Sequence, residues 1–249
     1  NTVSGKILEI LEKMTGEKPE LFCGSRTENG VHAYAQVANF HTSSSMTLKE
    51  MKHYFKRYLP MDIAVVEIED MPERFHASLN AVSRTYTYRI STEEVPNVFE
   101  RKYVYHSFHR PDVKRMQEAC ELLKGKHDFQ AFSSSKKKKS TQKEIFDIEI
   151  YDDLTEIQIT ICASDFLHNM ARILIGTLLE IGLGKRSVND ISSVFAGTCD
   201  PASPIDPKGL FLQEIEYNPL LFTLIQLNIC LIFFLFFSHI CCKEPVLLQ

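Results

Sequence analysis

Between Phe22 and Ala33 the chain reads Phe-Cys-Gly-Ser-Arg-Thr-Glu-Asn-Gly-Val-His-Ala, with Arg26 and Glu28 as its two formally charged residues at neutral pH. Asn29-Gly30 follows the acid directly and favours a tight turn, because both residues tolerate positive φ. Such a turn can hold a carboxylate in a cleft with a guanidinium beside it. On these residues alone, a hairpin turn with a surface ion pair is the plainer reading. A second candidate lies in Arg84-Thr85-Tyr86-Thr87-Tyr88, where a phenol could stack on a base and exchange a proton through its hydroxyl. An ordinary core tyrosine on a strand is the alternative there. Arg172, in Phe166-Leu167-His168-Asn169-Met170-Ala171-Arg172, could serve as a further partner of the acid or as a surface cation. The run Lys136, Lys137, Lys138 and Lys139, with Lys143, is the densest positive charge in the chain. It reads either as a solvated loop or as a phosphate contact. Phe129 and Phe132, just before it, could stack on an unpaired base or lie buried. His32, His76 and His168 are scattered without metal-ligand spacing and read as structural.

The bulk of the sequence narrows the class. The chain has 249 residues and a net charge of −4, so a whole-surface nucleic-acid binder is disfavoured while a local basic groove is not. The seven cysteines contain no CxxC pair, which points to reduced thiols in the cytoplasm rather than to disulfides or a zinc site. From Leu220 to Cys242 the chain carries no Asp, Glu, Lys or Arg. That length meets the roughly 20 residues a membrane-spanning helix needs, though Gln226, Asn228 and His239 weaken it. A membrane partner is expected only if this tail acts as an anchor.

These groups need elements to position them. Apolar spacing predicts a helix over residues 4–15, with Ser4 as a candidate cap, and another over 47–58 that Pro60 stops. Strands are expected at 35–41 and 63–68. Over 83–90, Tyr86, Tyr88 and Ile90 alternate with Thr85, Thr87 and Arg89 in the two-residue period of a half-exposed strand. A helix over 112–124 ends at Gly125, and an antiparallel pair at 145–151 and 156–163 turns around Asp152-Asp153. The most apolar helix is expected at 167–181. Short connections between many strands indicate an α+β fold with antiparallel sheet.

The acid loop resembles the Gly-Arg-Thr-Asp-x-Gly-Val-His-Ala signature of the tRNA pseudouridine synthase A family. Further blocks follow in the family's order: Phe75-His76-Ala77, Arg84 to Tyr88, Phe166 to Arg172, and Lys208-Gly209-Leu210-Phe211-Leu212. The resemblance runs from about Val3 to about Tyr217, and Glu28 stands where the family has Asp. It implies a pseudouridine synthase fold, a mixed, mostly antiparallel sheet flanked by helices with a cleft between two similar halves. The expected division is 1–95, 96–218 and an apolar tail at 219–249 outside the family body. Family members place a strand and a basic, aromatic-containing loop before the first helix, so the N-terminal half is expected to be truncated at its start. The implied activity is the isomerisation of uridine to pseudouridine in the anticodon stem-loop of tRNA, by a cofactor-free and metal-free homodimer. The resemblance also implies the roles: Glu28 acts on the glycosidic bond, Arg172 and Arg26 accompany it, Tyr86 packs on the base, and Leu210 walls it. Arg84, Phe129, Phe132 and Lys136–Lys139 are the expected substrate contacts. The alternative is a tRNA-binding relative whose turnover is impaired by Glu28 and the missing start.

If the lysine run contacts phosphates, replacing Lys136–Lys139 with Gln will flatten the dependence of log affinity for tRNA on log salt. Each lost contact removes about 0.7–0.9 from the slope. A filter-binding titration across salt concentrations reads this, and an unchanged slope assigns the run to solvent.

Overall fold

A computed structural model describes residues 2–135 and 140–218 and the backbone of 227–236. The chain opens with α1 (Val3–Thr15), whose Ile7, Ile10, Leu11 and Met14 are buried on one face. Thr2, rather than the expected Ser4, caps it by accepting from the Gly5 N–H at 3.1 Å. Ser4 Oγ instead lies 3.5 Å from Cys23 Sγ. Gly16, at φ 74°, closes the helix in the left-handed conformation. Then come β1 (Phe22–Cys23), β2 (His32–His41) and α2 (Leu48–Tyr58). A full capping box between Thr47 and Glu50 starts α2.

Beyond Pro60 lie β3 (Ile63–Pro72), β4 (Ala81–Ser91) and the short β5 (Tyr105–His106). On β4 the expected alternation is present: Tyr86, Tyr88 and Ile90 are buried, while Thr85, Thr87 and Arg89 are half-buried. Next are α3 (Val113–Leu123), β6 (Gly125–Asp128), β7 (Gln142–Asp152) and β8 (Glu156–Ala163). Asp112 caps α3 by accepting from the Lys114 and Arg115 N–H groups. α4 (Met170–Gly182) is buried around almost its whole circumference, which marks it as the central helix of the core. It starts three residues later than its apolar pattern suggests, because Asn169 takes φ 60° and breaks the helical run. α5 (Asp190–Phe195), β9 (Leu210–Tyr217) and β10 (Leu227–Phe236) complete the described chain.

One ten-stranded sheet carries the architecture, in the order β3-β10-β2-β9-β4-β8-β7-β6, with β1 beside β2 and β5 beside β4. Its pairings are antiparallel except β2 with β9 and β4 with β5. The fold is therefore α+β with a mixed, mostly antiparallel sheet flanked by helices. Strands from before and after residue 95 alternate across it, so the acid-bearing loop between β1 and β2 is supported by β9 from the far end of the chain.

The apolar segment expected as a tail is a strand where it is described. β10 lies between β2 and β3, antiparallel to both, with Ile232 opposite Ala38 on one side and Ile68 on the other. A continuous apolar run fits a strand as well as a helix by periodicity, and its Ile and Phe content favours the extended form. Among the described residues no helix is long and apolar enough to cross a membrane. Residues 219–226 and 237–249, which hold the rest of the expected tail, lie outside the described residues, as do Lys136–Lys139.

Proline cannot donate to a ladder bond in an interior strand. Ile232→Pro should therefore destabilise the fold by about 2–3 kcal/mol, measured as a lower urea midpoint. An unchanged midpoint would place this segment outside the sheet.

Candidate active site

The acid sits on a turn that the sequence builds locally. The Val31 N–H donates to the Glu28 carbonyl at 3.1 Å, closing Glu28–Val31 around Asn29-Gly30. Only Gly30 takes positive φ, at 85°, as the third residue of such a turn requires. The position also demands the smallest side chain, since a Cβ there would stand 2.8 Å from Pro207 Cγ. Just upstream, the Gly24 N–H donates to the Val37 carbonyl at 2.8 Å and ties the loop back to β2.

The carboxylate of Glu28 reaches across to α4. Its Oε1 accepts from the Asn169 backbone N–H at 2.8 Å. The first N–H groups of a helix lack intrahelical partners, and the helix dipole favours negative charge there. Asn169 offers its N–H at the start of α4 from a left-handed conformation that Asn tolerates better than most residues. Its side chain donates to Ser134 Oγ at 2.9 Å and accepts from Arg172 Nη1 at 2.9 Å.

That placement corrects the expected ion pairing. Arg172 forms no ion pair with Glu28; its guanidinium turns to Asn169 Oδ1 and to the Ile205 carbonyl, at 2.6 Å from Nε. It stands one link away, bracing the residue whose N–H holds the acid. Arg26 is exposed and forms no ion pair among the described residues.

Tyr86 lies beside the acid. It is 3% exposed, its ring meets Phe166 edge-on at 4.9 Å, and its hydroxyl lies 2.8 Å from Ser25 Oγ. Burial pushes the phenol well above the usual tyrosine range; the Ser25 hydrogen bond pulls it back, and the nearby Glu28 charge pushes it up again. The hydroxyl is therefore neutral at physiological pH.

Four of the expected substrate contacts, Phe129, Phe132, Arg84 and Leu210, are interior residues. Phe129 and Phe132 are fully buried and pack on Phe195 at 5.5 and 5.3 Å, so neither ring is open to a base. Arg84 is 4% exposed and donates to the carbonyls of Gly24, Ser164 and Ser78 at 3.0, 2.9 and 2.9 Å. A guanidinium sharing its five N–H groups among three backbone segments is a clamp, not a phosphate ligand. Leu210 is buried at the start of β9, just after Gly209, where a Cβ would collide with the Tyr88 ring at 2.8 Å. Lys143 is also committed, through a 2.6 Å bond to Asp165.

Sequence reading missed Ser25, Gln36 and Asn169. Buried Gln36 grips Ser25 from both sides, accepting from its N–H at 3.2 Å and donating to its carbonyl at 2.9 Å. A signal existed for Ser25, which replaces the first glycine of the signature quoted above. Nothing in the sequence marks Gln36, whose partners depend on the folded turn. The assembled site is a carboxylate at a helix terminus next to a buried phenol, which suits cleavage of a glycosidic bond coupled to a proton transfer.

Comparison with known proteins agrees with this chemistry. A family model described as tRNA pseudouridine synthase matches residues 119–218. The chain is 41% identical over 219 residues to a tRNA pseudouridine synthase A from Bacillus sp. (strain KSM-64), covering 87% of this chain and 90% of that protein. It is 39% identical over 220 residues to tRNA pseudouridine synthase A 2 of Bacillus anthracis, with the same 87% and 90% coverage. The corresponding protein of Clostridium perfringens (strain 13 / Type A) is 40% identical over 225 residues, again at 87% and 90%.

The clamp assigned to Arg84 has a measurable consequence. Arg84→Ala removes the donor to one buried and two part-buried carbonyls and should cost about 2–3 kcal/mol in urea unfolding. Arg84→Lys should recover only part of that, because an ammonium lacks the planar fork. Full stability of the alanine variant would return Arg84 to the list of substrate contacts.

Proposed function

We infer, from a chain that belongs to the tRNA pseudouridine synthase A family, that this protein isomerises uridine to pseudouridine in tRNA. The observation that carries the reading is the Glu28 carboxylate held at the start of α4, with the Tyr86 hydroxyl beside it. The reaction breaks the bond from N1 of uracil to C1′ of the ribose and forms one from C5 to C1′. A proton leaves C5 and another is taken up at N1, so the change is redox-neutral. A carboxylate facing C1′ stabilises the positive charge that develops there as the bond breaks, either directly or as a nucleophile. The helix terminus fixes the carboxylate in place, and such fixed geometry lowers the barrier without reorganisation during the reaction. Tyr86, whose ring is buried against Phe166, meets the base at its hydroxyl end and receives the C5 proton on its oxygen.

Finer points follow the family resemblance. The uridines acted on are proposed to lie in the anticodon stem-loop, and the acting form is proposed to be a homodimer in the cytoplasm. The lysine run and the exposed Arg26 are proposed to meet phosphates. The halves 1–95 and 96–218 are proposed to flank the substrate cleft.

A second reading, a tRNA-binding relative with weakened turnover, is favoured by one observation: among the described residues no guanidinium lies within ion-pair distance of Glu28. Two substitutions decide between the readings. Glu28→Gln should reduce pseudouridine formation on unmodified tRNA to background while tRNA affinity stays within about threefold, since the acid faces the sugar. Glu28→Asp retracts the carboxylate by roughly 1.5 Å, one carbon–carbon bond, and breaks its bond to the Asn169 N–H. The active-enzyme reading expects a rate loss on the order of tenfold or more. A gain of ten- to a hundredfold would instead establish the weakened relative, with a site still sized for aspartate.

A further inference from the structure

A neutral, buried phenol cannot accept a proton from carbon unless it gives up its own at the same time. The Tyr86 side chain is buried, and its hydroxyl meets Ser25 Oγ at 2.8 Å. Ser25 is only half-buried while Tyr86 is 3% exposed, so of the two bonded hydroxyl-bearing residues Ser25 is the one nearer solvent. It is also held firmly. Gln36 is buried and brackets the Ser25 backbone at 3.2 and 2.9 Å, and its Oε1 accepts from the Val37 N–H at 3.2 Å as well. These three bonds orient the Gln36 amide, and through it Ser25. The neighbouring Gly24 is closely packed: a Cβ there would lie 2.7 Å from the Tyr217 hydroxyl. The signature that this loop resembles has glycine at the Ser25 position, so the hydroxyl is a feature of this chain and not of the motif.

We propose that Ser25 is a positioning residue and proton conduit for Tyr86, passing the phenolic proton to solvent while the phenol oxygen takes the proton from C5. The proposal rests on Tyr86 acting at C5. Bonds and charges balance as follows. The C5–H bond breaks and an O–H bond forms on Tyr86; the original Tyr86 proton moves to Ser25 Oγ, and the Ser25 proton moves to water. N1 of the rejoined base takes one proton back from water. Neither hydroxyl is left ionised, and no oxidant or cofactor is consumed. Gln36 serves this step indirectly, by fixing the direction in which the Ser25 hydroxyl points.

The test is a double-mutant cycle on pseudouridine formation, with kcat and KM measured separately. Ser25→Ala should lower kcat by about tenfold or more, with KM within about twofold, because the substrate does not bind through this hydroxyl. Ser25→Thr keeps the hydroxyl and should retain kcat within about threefold. In a Tyr86→Phe background, which should itself be at least tenfold slower, Ser25→Ala should cause no further loss. If Ser25→Ala leaves kcat unchanged while Tyr86→Phe slows it, the relay is wrong and Tyr86 works without Ser25. If Ser25→Ala slows the Tyr86→Phe protein as much as the parent, Ser25 is a fold residue and the proposal falls. If Tyr86→Phe is itself fully active, the role of Tyr86 fails first and the relay with it.

Discussion

The contact on which the site depends is a single hydrogen bond, from the backbone N–H of Asn169 to the carboxylate of Glu28. It joins the turn before β2 to the first residue of the most buried helix, and both partners gain from it. The helix start obtains an acceptor that its own cap does not provide, since the Asn169 side chain makes no capping bond to α4. The carboxylate obtains a fixed donor and the positive end of a thirteen-residue helix. Arg172 contributes at one remove by holding Asn169 Oδ1. The acid is thereby held by backbone, which does not change rotamer, instead of by a long flexible cation.

Around that bond, buried polar side chains replace packing as the device that sets loop positions. Arg84 ties the carbonyls of Gly24, Ser78 and Ser164 to one planar group. Gln36 fixes Ser25, and Asn39 accepts from the Ala77 N–H at 2.8 Å. Tyr217 reaches the Ala77 carbonyl at 2.7 Å from the end of β9. Each of these groups would be costly to leave unpaired in the interior. The loops they join are accordingly forced into one arrangement, and residues far apart in sequence meet around Tyr86.

Much of this was legible in the sequence, and the limits have physical causes. Helical spacing located α1, α2 and α3, and the two-residue alternation of Tyr86, Tyr88 and Ile90 gave the buried face of β4. The turn at Asn29-Gly30 was readable because φ preference is a local property. What failed was everything decided by distant partners. A phenylalanine has the same composition whether it stacks on a base or on Phe195, so Phe129 and Phe132 were ambiguous until the core was seen. Arg84 was expected as a substrate contact because its three carbonyl partners come from separate segments and leave no mark in the sequence. The Arg172 pairing was carried over from the family resemblance, whereas here the Asn169 N–H bonds the acid. The apolar run at 227–236 could not be told from a helix by periodicity alone, although its Ile and Phe content leans towards a strand.

The position of β10 bears on how this protein is made. Its pairing with β2 and β3 joins some of the last described residues to some of the first, so the sheet has contacts of very long sequence separation. Such contacts close slowly, because the loop entropy is lost before the ladder bonds repay it. During synthesis β2 and β3 emerge early and then wait, each with a bare hydrogen-bonding edge, until nearly the whole described chain has left the ribosome. Exposed edges of this kind recruit strands from other molecules. The longer that wait and the more concentrated the nascent chains, the more such pairing competes, so low expression levels should favour soluble protein over inclusion bodies.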